Sequence, residues 1–277
     1  MLTTAFTPGS PNWLDLTSPD TDASVAFYAT VFGWTFAPTE LPGPDPDASD
    51  SRGGSSSDGS GLFRHDGRTV AALTPLTGSG SGSGSGSGWT IHFCTPDAGR
   101  TARLVEAAGG TVRPAPPGAR ATGFTDPTGA GFAVREPFAV PGLEAVDGEG
   151  ALCWAECHSI DAEAAKVFYR AVLSWQEQDV PLGEAMYTVL TPAGGGTDDA
   201  LGGITQLGPE QTAAGTASHW LPYIEVPDVD AAVALAGQLG ATVRVPATDV
   251  HGVGRLAQLI DPHGAAFAVI TSTPRDG

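Results

Sequence analysis

Residues 12–34 read NWLDLTSPDTDASVAFYATVFGW, and residues 153–175 read CWAECHSIDAEAAKVFYRAVLSW. Trp13, Asp20, Phe27, Tyr28 and Trp34 recur as Trp154, Asp161, Phe168, Tyr169 and Trp175, each 141 residues further on, without a gap. Each copy reads as a strand, an Asp-led helix carrying Phe-Tyr, and a second strand after an aromatic turn. So close a repeat means one domain written twice, and function is to be sought in paired sites.

Working outward, each half holds a fainter echo of the same unit. WTIHFCTPDAGRTARLVEAAGGTVRPAP (89–116) corresponds to HWLPYIEVPDVDAAVALAGQLGATVRVPA (219–247). A short alternating strand meets Pro-Asp, and a helix follows. Its apolar stripe is read as Leu104, Val105 and Ala108 in one copy and Val233, Leu235 and Leu239 in the other. The Asp caps the helix by accepting from free backbone N–H groups, and Gly109 or Gly240 ends it. A hairpin then closes each half, GFTDPTGAGFAVRE (123–136) and AQLIDPHGAAFAVIT (257–271), with Asp-Pro-x-Gly as the turn. Phe27–Tyr28 and Phe168–Tyr169 lie on helices and are expected as helix-to-sheet core.

These strand–Pro-Asp–helix starts, the Phe-Tyr-x-x-x-x-Gly/Ser-Trp runs and the Asp-Pro-x-Gly-x-x-Phe endings cover most of the chain. In them the chain resembles the vicinal oxygen chelate superfamily, which includes glyoxalase I, extradiol dioxygenases, fosfomycin resistance proteins and bleomycin-binding proteins. The two-domain layout looks most like the bacterial glyoxalase/bleomycin resistance/hydroxylase group. The resemblance implies an α+β fold of four βαβββ modules, paired into two glyoxalase/bleomycin-resistance-type domains with cupped mixed β-sheets. The first domain is placed at 1–140 (modules 10–77 and 88–138), a linker at 141–150, and the second domain at 151–277 (modules 151–208 and 218–272). Low-complexity inserts at 45–61 and 78–88 read as tolerated loop expansion, with a lid over a pocket as the alternative.

Composition narrows the partners. Thirteen basic against 31 acidic residues give a net charge of −18, which argues against nucleic acid and anionic membranes. No apolar run is long enough to span a bilayer, and the N-terminus lacks a signal-peptide pattern, so a cytoplasmic protein is expected, monomeric or homodimeric. Cys94, Cys153 and Cys157 read as reduced buried thiols. Cys153 and Cys157 share a face at i, i+4, but about 13 Å of strand keeps them from bridging.

The superfamily's enzymes chelate a substrate on a divalent metal held in the cup formed by paired modules. The resemblance implies ligands on first strands, seven residues before the helix-starting Asp, and a Glu on last strands. The first-strand places fall on Trp13, Thr90, Trp154 and Leu221, and the last-strand ones on Ala133 and Ala268. None is a metal ligand, so no cofactor is expected, although a divalent metal at a displaced site stays open.

Alternate strand positions bring other groups to the cups. In the second, Glu156, His158 and His219 are the candidate acid–base residues, with Trp154, Tyr223 and Glu225 as ligand contacts and Gln206 nearby. In the first, Trp13, Asp15, His92 and Arg135 are the candidate ligand-binding residues, and an Asp15–His92 pair could tune a general base. His65, His251 and His263 lie in turns or loops and are expected to face solvent. The Gly-x-Ser-x-Gly within 78–88 is a by-product of the Gly-Ser repeat, with no strand-to-helix context. The reading that follows is a metal-independent small-molecule binding protein for an aromatic or apolar ligand, in a sequestration or natural-product role. The alternative is a glyoxalase-, hydroxylase- or dioxygenase-like enzyme working through the second cup.

Overall fold

Four helices of this chain start in the same way. Asp20, Asp97, Asp161 and Asp228 each accept from the N–H three residues on, at 2.9, 2.7, 3.0 and 3.0 Å. Each cap satisfies one of the free donors that begin a helix, and it marks the start of one module.

A computed structural model of the chain describes residues 2–39, 59–76, 87–114, 121–137, 142–182 and 185–273. Residues 45–58 and 78–86 of the two inserts, and with them any lid, lie outside the described residues. The first half runs β1 (Pro11–Ser18), α1 (Thr21–Phe32), β2 (Thr35–Pro38), β3 (Gly61–His65), β4 (Arg68–Pro75), β5 (Gly88–Cys94), α2 (Ala98–Ala107), β6 (Thr111–Val112), β7 (Ala121–Thr125) and β8 (Gly131–Arg135). The second runs β9 (Leu152–Ser159), α3 (Ala162–Leu173), β10 (Gln176–Leu182), β11 (Ala185–Thr191), β12 (Gly202–Gln206), α4 (Pro209–Ala213), β13 (His219–Glu225), α5 (Val229–Gln238), β14 (Thr242–Val250), β15 (Gly254–Ile260) and β16 (Ala266–Ser272).

Two curled eight-stranded sheets result, ordered β2-β3-β4-β1-β5-β8-β7-β6 and β10-β11-β12-β9-β13-β16-β15-β14. Both are mixed: β1 and β5 pair antiparallel where two modules meet, while β1–β4 and β5–β8 are parallel. The fold is thus the α+β, four-module arrangement that the repeats imply. Among the described residues no helix is long and apolar enough to cross a membrane.

The halves share one core, and the repeated aromatic motif joins them. Phe27 and Tyr28 of α1 pack on Phe267 of β16, with ring centroids 6.2 and 5.8 Å away. Phe168 and Tyr169 of α3 pack on Phe132 of β8, at 6.0 and 5.4 Å. The Tyr28 hydroxyl donates to Asp261 Oδ2 and the Tyr169 hydroxyl to Asp126 Oδ2, both at 3.0 Å and both buried. Each phenol also accepts an indole N–H from within its own half, Trp89 at 3.0 Å and Trp220 at 2.7 Å. The pairs therefore do more than pack helix on sheet within a half: they cross to the other one, because the helix-bearing faces of the two sheets cover each other. Trp34 and Trp175 cross too, donating to the carbonyls of Gly150 and Gly9 at 2.8 and 2.9 Å. Both glycines have positive φ (69° and 86°), and a Cβ on Gly9 would lie 2.9 Å from the Trp175 indole nitrogen.

Other expectations shift in detail. On α5 the buried face is Val229, Ala232 and Ala236, with Leu239 38% exposed, because the helix is rotated relative to the expected stripe. Residues 143–145 are stitched to the first half, where Leu143 N–H bonds Asn12 O and the Glu144 carboxylate accepts from Thr69 N–H at 2.7 Å, while Asp147 and Gly150 bond Leu152 O and Glu225 O of the second. His251 is exposed, but His65 is half-buried against Gly150 and His263 is half-buried in its turn.

The crossing phenols carry a stability expectation. Tyr28→Phe or Tyr169→Phe leaves a buried indole N–H and a carboxylate oxygen short of a partner, so each should cost about 1–3 kcal/mol in urea unfolding. The two losses should be alike, since the contacts repeat. A neutral result for both would show that the crossing hydrogen bonds do not hold the halves together.

Candidate functional site

In the second cup, β9 places Trp154, Glu156 and His158 on alternate positions of one face. The β13 register sets Tyr223 opposite Trp154, Leu221 opposite Glu156, and His219 opposite His158. Glu156 is only 8% exposed and stands at the centre of a hydrogen-bonded cluster. Its Oε1 accepts from the Tyr223 hydroxyl at 3.0 Å and its Oε2 from the Tyr187 hydroxyl at 2.9 Å. The Trp154 indole N–H donates to the Tyr187 oxygen at 2.8 Å, and the Gln258 amide lies 3.4 Å from the Tyr223 oxygen. His158 Nε2 sits 2.7 Å from Glu156 Oε1, an ion-pair distance without a well-aligned hydrogen bond.

Burial alone would raise the Glu156 pKa. The contact with His158 and the two phenol hydrogen bonds outweigh it, and hold the carboxyl below its usual value. The same burial, with the Glu156 charge beside them, pushes Tyr187 and Tyr223 well above the usual phenol range, so both remain donors. The His158 and His219 rings stack with centroids 4.9 Å apart and planes 6° from parallel. His219 Nδ1 donates to Ala217 O at 2.8 Å, which fixes the neutral tautomer and leaves Nε2 as a buried acceptor with no donor. Desolvation lowers the His219 pKa to about 4.

Two expected members are elsewhere. Glu225 is six residues from His219 along β13, about 20 Å of strand, and it accepts from Ser272 N–H and hydroxyl at 2.9 and 2.6 Å. Gln206 instead caps α3, accepting from Ala162 N–H and donating to Ile160 O. Neither shares a site with His158. All three cysteines are free and buried, but Cys153 and Cys157 face different clusters. The register shift at Tyr223/Ile224 interrupts the alternation there and turns Cys153 towards the cup.

The first cup is built differently. Trp13 lies opposite His92, is 6% exposed, and is covered by the Arg135 guanidinium 4.0 Å above its ring, so it offers no open stacking face. Asp15 accepts from Thr74 at 3.0 Å rather than from His92. Burial raises its pKa to about 6 against the opposing effects of Thr74 and Arg135. Desolvation, Arg135 and Arg113 lower the His92 pKa to about 3. The expected Asp–His base pair is therefore not formed: burial, reinforced by the cations Arg135 and Arg113, keeps the His92 ring neutral.

The sequence reading passed over Tyr187, Gln258, Arg113 and Arg244. Tyr187 comes from β11, which carries no motif, and Gln258 from β15, where the hairpin motif marks the turn but not the residue that reaches the cup. The arginines had a signal: Thr-Val-Arg is written in both halves, at 111–113 and 242–244, in a chain poor in basic residues.

A glyoxalase-like domain model matches residues 13–135 and again 154–270. The chain belongs to the glyoxalase-like family. Among its relatives, anthracycline biosynthesis protein DauV of Streptomyces sp. (strain C5) is 34% identical over 96% of this chain and 94% of that protein. Putative glyoxylase CFP32 of Mycobacterium tuberculosis (strain CDC 1551 / Oshkosh) is 30% identical over 98% of this chain and 97% of that one. Among solved structures, 2,2',3-trihydroxybiphenyl 1,2-dioxygenase from Sphingomonas wittichii strain RW1 superposes with a TM-score of 0.61 at 17% identity, over 96% of this chain and 91% of that one. At that identity the likeness shows the fold.

Among the described residues, the side chains at the places where the resemblance implies ligands do not fit the divalent metal that glyoxalase-like folds imply. Its usual places hold Trp13, Thr90, Trp154, Leu221, Ala133 and Ala268. Among the described residues no three of His, Cys, Asp and Glu come together as a metal-binding group. Glu156 directs both oxygens to protein partners.

The neutral histidines give the fold a pH dependence. Their pKa values are depressed from 6.5 to about 3 and about 4, so their contribution is present above pH 6.5 and lost as pH falls towards those values. Asp15, raised from 3.8 to about 6, acts in the opposite sense, its contribution being lost as pH rises through that window. Two histidines against one aspartate should lower the melting temperature from pH 7 to 5. His92→Gln should reduce that drop; a drop of unchanged size would contradict the buried, neutral state of His92.

Proposed function

We propose that this glyoxalase-like chain is a metal-independent binding protein for a polycyclic aromatic small molecule, with the second cup as its site. The observation that carries the reading is the engagement of Glu156. Among the described residues it is the carboxylate central to that cup, and it already accepts from Tyr187 and Tyr223 and lies against His158, which leaves it as a fixed hydrogen-bonding floor. Trp154, half-buried and oriented by its bond to Tyr187, adds an aromatic wall beside Leu221 and Ala268. The relative named for anthracycline biosynthesis supports a ligand of that polycyclic aromatic kind, and so a place in natural-product metabolism.

A second reading is an acid–base enzyme, favoured by the neutral His219 with an acceptor nitrogen that has no donor. Under that reading His219→Ala abolishes a turnover that wild type shows.

The test is metal analysis of untagged protein, followed by titration of the EDTA-treated chain with an anthraquinone-type ligand, read by tryptophan fluorescence. Binding should survive chelation, and Trp154→Ala should weaken it about tenfold, a loss of about 1.4 kcal/mol. Near-stoichiometric metal that is lost in a His158→Ala/His219→Ala double variant, or binding only after metal is added, would overturn the proposal.

A further inference from the structure

The repeated Thr-Val-Arg ends differently in the two halves. Arg113 folds back over Gly123 and Gly131 and donates to Phe132 O at 2.9 Å. Arg244 of β14 instead borders a groove of about 590 Å³ where the loop 214–218 enters β13. Trp89 from the first half, with Ile260 and Ala266 from the second, gives this groove apolar walls, and His219 links it to the second cup. Small residues at 214, 215, 217 and 264 keep it open.

Charge makes the groove selective. The chain has 31 acidic residues to 13 basic ones, so an arginine beside an open groove would ordinarily find a carboxylate. Among the described basic residues of the second half, Lys166 pairs with Glu163 and Asp179, Arg170 with Glu177, and Arg255 with Asp230 and Asp249. Arg244 has no carboxylate partner there. Its bond is to the Thr216 hydroxyl at 3.2 Å, which steadies one Nη and leaves the rest of the guanidinium available. Among the described residues no Asp or Glu lines the groove, and the neutral His219 adds no competing charge.

We infer that this groove binds the anionic group of an aromatic carboxylic acid, with Arg244 as the residue that selects for the charge. A guanidinium fork matches a carboxylate in two parallel hydrogen bonds, and the apolar walls take the ring system. The inference rests on the small-molecule reading above and specifies the ligand class.

Two probes of matched shape test it on the metal-free full chain: 2-naphthoate and the neutral 2-naphthamide, measured by calorimetry and tryptophan fluorescence. Wild type should bind the acid at least about tenfold more tightly than the amide, and added salt should narrow the gap. Arg244→Gln should bring the acid down to the level of the amide with little change in melting temperature. Should that variant melt early, Arg244→Lys, which keeps the charge and loses the fork, should still weaken the acid selectively. An amide that binds as tightly as the acid, or an acid indifferent to Arg244, overturns the inference and leaves the small-molecule reading standing. Failure of both probes to bind wild type overturns the inference, while the small-molecule reading is decided separately by the anthraquinone-type titration.

Discussion

Two phenol hydroxyls, each donating to a carboxylate of the opposite half, tie this molecule together. Asp126 and Asp261 use one oxygen to hold their own Asp-Pro-x-Gly turns, accepting from backbone N–H at Ala130 and Ala265, and the other to receive Tyr169 and Tyr28. The residue that shapes each hairpin is thus the one that docks the other half. Such a bond is strong only where water is excluded, and the stacked Tyr, Trp and Phe rings around it provide that exclusion. With their helix-bearing faces committed to each other, the sheets have their opposite, cupped faces left for function.

The scaffold repeats, but the cups have diverged. Position for position, Asp15 answers to Glu156 and His92 to Tyr223, while Arg135 answers to Ile270. Those exchanges make the first cup cationic, with Arg135 over Trp13, and give the second a buried carboxylate ringed by phenols. A duplicated fold tolerates this because the residues that join the halves lie on the other face of the same strands. Strand alternation separates what must stay the same from what is free to change.

Much of the fold was legible in order. Four Asp caps, two Phe-Tyr helices and two Asp-Pro-x-Gly turns are local signals, and each acts within a few residues of where it is written. The strand faces were legible as well, so Trp154, Glu156, His158, His219 and Tyr223 were placed on one cup by alternation. Alternation failed where a register shift turned Cys153, and it could not show that Glu225 stands too far along its strand to meet His219. Tyr187 and Gln258 were invisible, since their approach to Glu156 depends on how far the sheet curls.

By itself the sequence determined the duplicated four-module α+β fold, because that fold is written in residue type and spacing. Tertiary structure alone decided that the Phe-Tyr motif joins the halves, that Arg135 covers Trp13, that Glu156 is held by two phenols, and that Arg244 faces an open groove. These are contacts between residues from 31 to 233 positions apart in the chain, or the lack of one. Such pairings follow from sheet curvature and from the packing of one half on the other, which no local spacing records.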